Sequence, residues 1–260
     1  MSVLERIENQ KKRAHEKVVA TKILDNLEKL FMENNDTTSK RWIWELMQNA
    51  KDSAYVDQKV KIKINFNQQA KKLEFSHNSQ PFTLEGITFL IEQVSTKDRS
   101  GITDGIKTTG KFGTGFLTTH LLSSVVDLDS VLADEGILPT KFELTLDRSG
   151  KDPESILTSI ENSLKQISQI DGAKSIEIFD KQLFNTKFTY TLDQKGLKIA
   201  EQGLADFKFS IFYVLIFMQN IQSVMLEHEQ CEYCLSEKAE ELQDGLNIYT
   251  IDEIKKGTKK

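Results

Sequence analysis

The sequence predicts an α+β protein, a two-layer α/β sandwich with a mixed, mainly antiparallel sheet and helices on one face. Three observations carry this expectation: apolar residues recur three and four apart near the start, a pair of short alternating runs follows, and strand-like runs dominate after residue 124. The resulting order is helices, hairpin, helix, loop, helix and then strands, whereas a doubly wound sheet would alternate strand and helix throughout.

Residues 2–34 read as a helix with Ile23, Leu27, Leu30 and Phe31 as its apolar stripe. A second helix is expected to start near Thr38 or Ser39, either of which could cap it, and to run through RWIWELMQNAKDSAYV until Asp57. Alternation at 60–66 and 72–76 predicts a hairpin joined through 67–71, after which HNSQPF turns the chain. Residues 84–94 read as helix. The stretch 95–115 is rich in Gly, Thr, Ser and Lys and lacks periodicity; a loop that long inside a compact domain is usually functional or mobile. A helix is expected over 116–122, strands over 125–132, 141–146, 175–179 and 186–192, and a further helix over 153–170.

From 196 onward the pattern changes to a buried helix over 200–218 and strands at 221–234 and 246–251. The expected division is therefore one domain over 1–195 and the start of a second over 196–260.

With 38% hydrophobic and 28% charged residues among 260, the composition is that of a globular protein with one real core. A formal charge of -5 and the lack of a basic stripe argue against a nucleic-acid partner. The first thirty residues carry charges throughout, and the longest apolar run, 209–218, falls short of the roughly 20 residues a bilayer span needs. A cytoplasmic protein with no membrane partner is expected. His228, Cys231 and Cys234 have zinc-like spacing, but a strand there would point the two cysteines to opposite faces.

Two segments carry chemistry. ELMQNAKD places Glu45, Asn49 and Asp52 on one face of a helix whose remaining residues, Trp42, Ile43, Leu46, Met47 and Ala50, are suited to burial. An amide oxygen such as that of Asn49 suits Mg²⁺, and Glu45 one turn away could orient a water. GKFGTGF, residues 110–116, brings glycines at 110, 113 and 115 to the start of a helix, where backbone amides attract phosphate. Lys97, Lys107 and Lys111 add positive charge nearby. FSHNSQPF, residues 75–82, stands between these two segments as a turn.

Taken in order, these pieces resemble the ATP-binding domain of the gyrase, heat-shock chaperone, histidine kinase and MutL superfamily, the GHKL or Bergerat fold, over roughly residues 20–193. Glu45-x-x-x-Asn49-Ala50-x-Asp52 is similar to that family's N box. Gly110, Lys111, Phe112, Gly113, Thr114, Gly115 and Phe116 are similar to the phosphate loop of the chaperone branch.

The resemblance implies Glu45 as the base that activates water, Asn49 as the Mg²⁺ ligand, Asp52 as a supporting partner and the loop as a cradle for the phosphates of ATP. It implies Thr186 beside adenine, a lid over 95–112 and a homodimer on closing. The family's adenine motif, Asp-x-Gly-x-Gly, is here His77-Asn78-Ser79-Gln80-Pro81. A neutral histidine would accept one hydrogen bond from adenine's amino group on one nitrogen only, with Asn78 placed to share in base recognition. The alternatives are a histidine kinase-type domain, although His15 lacks the phospho-acceptor context, a MutL-like machine, or a nucleotide-sensing scaffold that no longer hydrolyses.

Overall fold

The computed structural model describes residues 2–33, 37–93, 115–170, 175–235, 240–241 and 247–255. Helix α1, Val3–Met32, opens with a capping box in which the Glu5 amide donates to Ser2 Oγ at 3.1 Å and Glu5 Oε2 takes the Ser2 amide. Ile23 and Leu27 of its stripe are buried, while Phe31 is exposed, with the Lys195 ammonium 4.9 Å from its ring centre.

The second helix does not begin with a side-chain cap from Thr38 or Ser39. A 3-10 turn, Thr38–Lys40, leads directly into α2, Arg41–Asp52. It also ends earlier than expected. The Ser53 carbonyl accepts the Gln80 amide at 2.9 Å and the Ser79 hydroxyl donates to the Ala50 carbonyl at 2.8 Å, so the turn after the hairpin takes over the helix's last carbonyls.

Strands β1, Val60–Asn67, and β2, Lys72–His77, form the expected antiparallel hairpin. Helix α3, Leu84–Glu92, is capped by Thr83 Oγ1, which accepts the Gly86 amide at 3.0 Å. After a 3-10 helix, Phe116–Leu121, come β3, Val125–Asp134, and β4, Ile137–Asp147. Helix α4, Pro153–Ser168, has proline in its first turn and Asp152 accepting two backbone amides at 3.0 Å. Strand β5, Thr186–Thr191, and helix α5, Gln194–Phe217, follow. The chain then forms β6, Ile221–Leu226, and β7, Cys231–Leu235, the short pair β8, Glu240–Glu241, and β9, Asn247–Ile248, and finally β10, Ile251–Lys255.

Eight strands make one mixed sheet in the order β10-β7-β6-β1-β2-β5-β3-β4, in which only β1 and β6 are parallel neighbours. The fold is α+β. Helices α2 and α5 pack against each other and on β1, β6 and β7, α3 packs on β3, and α4 on β4.

Two sequence expectations are corrected by this pairing. Residues from 196 onward do not start a separate core. α5 and β6 contribute Ile199, Leu204, Phe207, Ile211, Val224 and Leu226 to the same buried cluster as Trp42 and Ile62, and β6 runs beside β1. Residues 175–179 form no strand among the described residues; Ser175 makes an isolated bridge to Thr140, and Ile178 is exposed.

Edge strand β4 is covered by α4: Gln166 Oε1 accepts the Thr145 amide at 2.9 Å, and Ser163 Oγ donates to the Thr145 carbonyl at 2.8 Å. Among the described residues no helix is long and apolar enough to cross a membrane. In β7 burial alternates, with Cys231 inward and Cys234 half-exposed, as a strand requires.

Candidate functional site

The buried face of the sheet is laid out in rows. Across β1, β2, β5 and β3, Phe66, Leu73, Tyr190 and Val126 stand side by side, and Ile64, Phe75, Phe188 and Leu128 form the next row. The third row breaks the apolar pattern with Ile62, His77 and Thr186. Ser130 on β3 joins it through a 2.8 Å hydrogen bond between its hydroxyl and that of Thr186. An imidazole and two hydroxyls in an otherwise hydrocarbon face are costly to bury unless used, since each polar group gives up water.

Helix α2 approaches the same end of the sheet, because Ser79, two residues past His77, donates to its Ala50 carbonyl. Trp42, Ile43, Leu46, Met47 and Ala50 bury the apolar side of α2, and Asn49 is buried among them at 5% exposure. Trp42 packs tightly enough on α5 that a side chain at Gly203 would place Cβ 2.4 Å from the indole nitrogen.

Glu45, one turn before Asn49, points at the start of the Phe116–Leu121 helix. A Cβ built on Gly115 would lie 2.2 Å from Glu45 Oε2 and 3.1 Å from Oε1. Gly115 has an ordinary helical backbone, φ -59°, so what glycine provides there is room for the carboxylate and not relief of backbone strain. The Arg41 guanidinium lies 3.4 Å from Glu45 Oε1. The structure therefore brings the early helix and the end of the glycine segment together at a carboxylate.

The remaining expected residues divide into three groups. Thr186 and His77 are neighbours in the polar row. Asp52, Asn78 and Phe116 are engaged within the fold. Asp52 accepts both hydrogen bonds of the Gln48 amide nitrogen, at 2.9 and 2.8 Å, and pairs with Lys51. Asn78 is not free to help read a base, because its Oδ1 accepts the Lys61 amide at 2.7 Å and its Nδ2 donates to the Lys181 carbonyl at 3.2 Å. Phe116 is a core anchor, its ring centre 5.4 Å from that of Phe188. Lys97, Lys107, Gly110, Lys111, Phe112, Gly113, Thr114 and the expected lid over 95–112 lie outside the described residues.

His77 corrects one expectation. The Ser79 amide donates to its Nδ1 at 3.3 Å, and burial at 2% exposure pushes its pKa down to about 3, so the ring is neutral. With Nδ1 occupied, the ring has no acceptor left for an amino group.

Comparison with family models and with curated proteins returned no match.

Sequence reasoning passed over Ser130 and Arg41. Ser130 was findable by parity, since 126, 128, 130 and 132 share one face of β3 and only 130 is polar. A second buried polar group also went unread. Arg148, on the residue after β4, donates through Nε to Gln93 Oε1 at 3.0 Å and through Nη2 to the Ile91 carbonyl, and Gln93 Nε2 lies 3.1 Å from His120 Nε2. Burial, with Arg148 adding to it, pushes the His120 pKa down to about 3, and burial lowers Arg148 to about 10.

A groove of about 510 Å³ opens on the half-exposed side of the sheet, beside Lys63, Lys141, Glu143 and Phe184. Lys187 and Asp129 there pair across strands at 2.7 Å. It is a solvated charged face, and the half-buried Glu45 carboxylate, the buried Asn49 amide and the polar row are the chemically distinctive cluster.

Proposed function

We propose that this chain binds a magnesium nucleoside triphosphate and hydrolyses it, in the manner of the GHKL ATPases it resembles. The single observation that carries the reading is the convergence of Glu45 with Gly115, because it joins the two segments that the chemistry needs on one carboxylate.

The donor set fits Mg²⁺. Among the described residues no three His, Cys, Asp or Glu side chains could cage a metal, but a Mg²⁺ that keeps its waters and shares substrate phosphates needs only one or two protein oxygens. Asn49 would supply that oxygen. When bound, the ion would offset charge on the phosphate oxygens.

The chain's own residues account for the rest. Glu45 orients the attacking water and accepts its proton as the bond to phosphorus forms, with the nucleoside diphosphate leaving on the opposite side. Arg41 reaches one carboxylate oxygen at 3.4 Å, and the missing side chain at Gly115 leaves room for the other. Catalysis of this kind is mostly positioning and electrostatics, so small displacements of Glu45 matter more than its mere presence. Two cysteines that lie on opposite faces of one strand fit a reducing, cytoplasmic setting.

The test separates binding from turnover. With ATP and GTP in the presence of Mg²⁺, Glu45→Ala should bind nucleotide as the native chain does and release no phosphate. Phosphate release at the native rate by that variant removes Glu45 from the role, and failure of the native chain to bind either nucleotide removes the reading.

A further inference from the structure

Helix α5 carries more hydrocarbon than the sheet beneath it covers. From Phe209 to Met218 it holds no charged residue, and Ile211, Val214 and Leu215 are buried in the core. The other side of the same turns is not. Phe209, Phe212, Tyr213 and Phe217 are 82%, 43%, 63% and 79% exposed. Their i, i+3, i+4 and i+8 spacing sets them along one side of the helix, over about 12 Å of its length. Phe212 leans edge-on against Tyr233 of β7, with ring centres 6.0 Å apart, so the stripe continues onto the sheet.

We infer that this aromatic stripe is where a second copy of the chain docks, α5 against α5 about a two-fold axis, in a dimer that needs no nucleotide.

The area is sufficient. A fully exposed aromatic side chain offers about 200 Å², so these exposures leave roughly 500 Å² of aromatic surface in water, at the upper end for the largest apolar patch of a monomer. Two copies together would bury about 1,000 Å² from the rings alone, the lower bound for a specific interface, and the half-buried Ile216 and Met218 border the stripe and add to it.

The charge pattern favours self-association. An isologous contact sets each group near its own copy, so like charges on the face would oppose it. The charged residues bordering the stripe are committed within the chain: Lys208 pairs with Glu229, and Asp206 with Lys40 at 3.0 Å. Phe209 and Phe217, the two most exposed rings, lie four residues on either side of Tyr213. With antiparallel helices, Phe209 of each copy meets Phe217 of the other and Tyr213 meets Tyr213, and such ring pairs add to the gain from area. A lipid surface is the poorer occupant. Helices that lie in a membrane interface flank their apolar side with Lys and Arg, whereas the one lysine among the last ten residues of α5, Lys208, is ion-paired and the chain carries a net charge of -5.

The experiment is sedimentation equilibrium of the full chain without nucleotide, from about 1 to 100 µM, the range in which an interface of this size associates. Because nucleotide is omitted, the outcome is independent of the triphosphate reading. The native chain should approach the mass of two chains at the upper end. Tyr213→Glu and Tyr213→Lys should each weaken association about a hundredfold or more, because like charges then face one another across the axis. An equimolar mixture of the two variants should recover the two-chain species. Phe209→Ser combined with Phe217→Ser, which adds no charge, should weaken association likewise and carries the test if the charged variants fail to fold.

A native chain of single mass throughout the range overturns the inference. So does growth beyond two chains, since a two-fold contact closes at two. Association of native strength in the Tyr213 variants or the double serine variant, or a mixture that stays single, overturns it as well. Flotation of the native chain with phosphatidylserine vesicles while it sediments as a single chain assigns the stripe to lipid instead.

Discussion

Replacing Gly115 with alanine tests the geometry on which the functional reading depends. The added methyl would start 2.2 Å from Glu45 Oε2 and 2.8 Å from its Cδ. An ordinary carbon–oxygen contact is about 3.2 Å, so the carboxylate must retreat by roughly 1 Å, a displacement of the order that costs a hundredfold in a reaction depending on orientation. The obstructing atoms are the far end of a flexible, part-exposed side chain, and the Gly115 backbone, φ -59°, suits alanine. The fold should therefore tolerate the change. The expected outcome is a fall in kcat of about a hundredfold, with nucleotide affinity and melting temperature near native values. Phosphate release under saturating nucleotide, calorimetric titration and thermal denaturation measure the three quantities. Glu45→Ala combined with Gly115→Ala should be no slower than Glu45→Ala alone, because the glycine acts through the carboxylate. A single variant with native kcat refutes the argument, and so does one that loses activity only because it unfolds.

Three other outcomes follow from packing and burial. Gly203→Ala should destabilise the fold by about 1–3 kcal/mol in urea titration, since its Cβ meets the fully buried Trp42 ring, which has nowhere to move. Arg148→Met should cost about 2–4 kcal/mol, because it strips donors from Gln93 Oε1 and the Ile91 carbonyl inside the core; a change below about 1 kcal/mol would mean that water reaches them. Stability should also fall on acidification. His77 and His120 stay neutral in the fold until about pH 3, while in the unfolded chain they take up protons below about 6.5, so no histidine penalty exists above that pH. Between the two values each histidine removes about 1.4 kcal/mol per pH unit, and His120→Gln should flatten its share of the slope measured by urea midpoints at pH 7.5 and 5.5.

Much of the fold is legible locally. Alternation at β1, β2, β3 and β4 and the Asp152-Pro153 start of α4 need no information from elsewhere in the chain. The misses share a physical cause, namely dependence on partners distant in sequence. Nothing in Ser53-Ala54-Tyr55-Val56 forbids another helical turn; α2 stops because the Gln80 amide claims the Ser53 carbonyl. Ser-Ile-Glu-Ile-Phe at 175–179 alternates well enough for a strand, yet among the described residues no strand pairs with it beyond the Thr140 bridge. At the site, the Glu45 and Asn49 face could be read from helical periodicity. The tautomer of His77 could not, because it is set by a backbone amide whose direction exists only once the turn has formed.

The parallel pairing of β1 with β6 has a consequence for synthesis. Ile64 meets Leu226 only after about 160 further residues have been made. At ribosomal rates of roughly 5–20 residues per second, one flank of a hydrophobic strand stays unsatisfied for something like 10–30 seconds. During that interval the nascent chain exposes the template that invites other strands, so the cell must shield it or risk aggregation. A chain cut short at residue 195 would carry that vulnerability permanently.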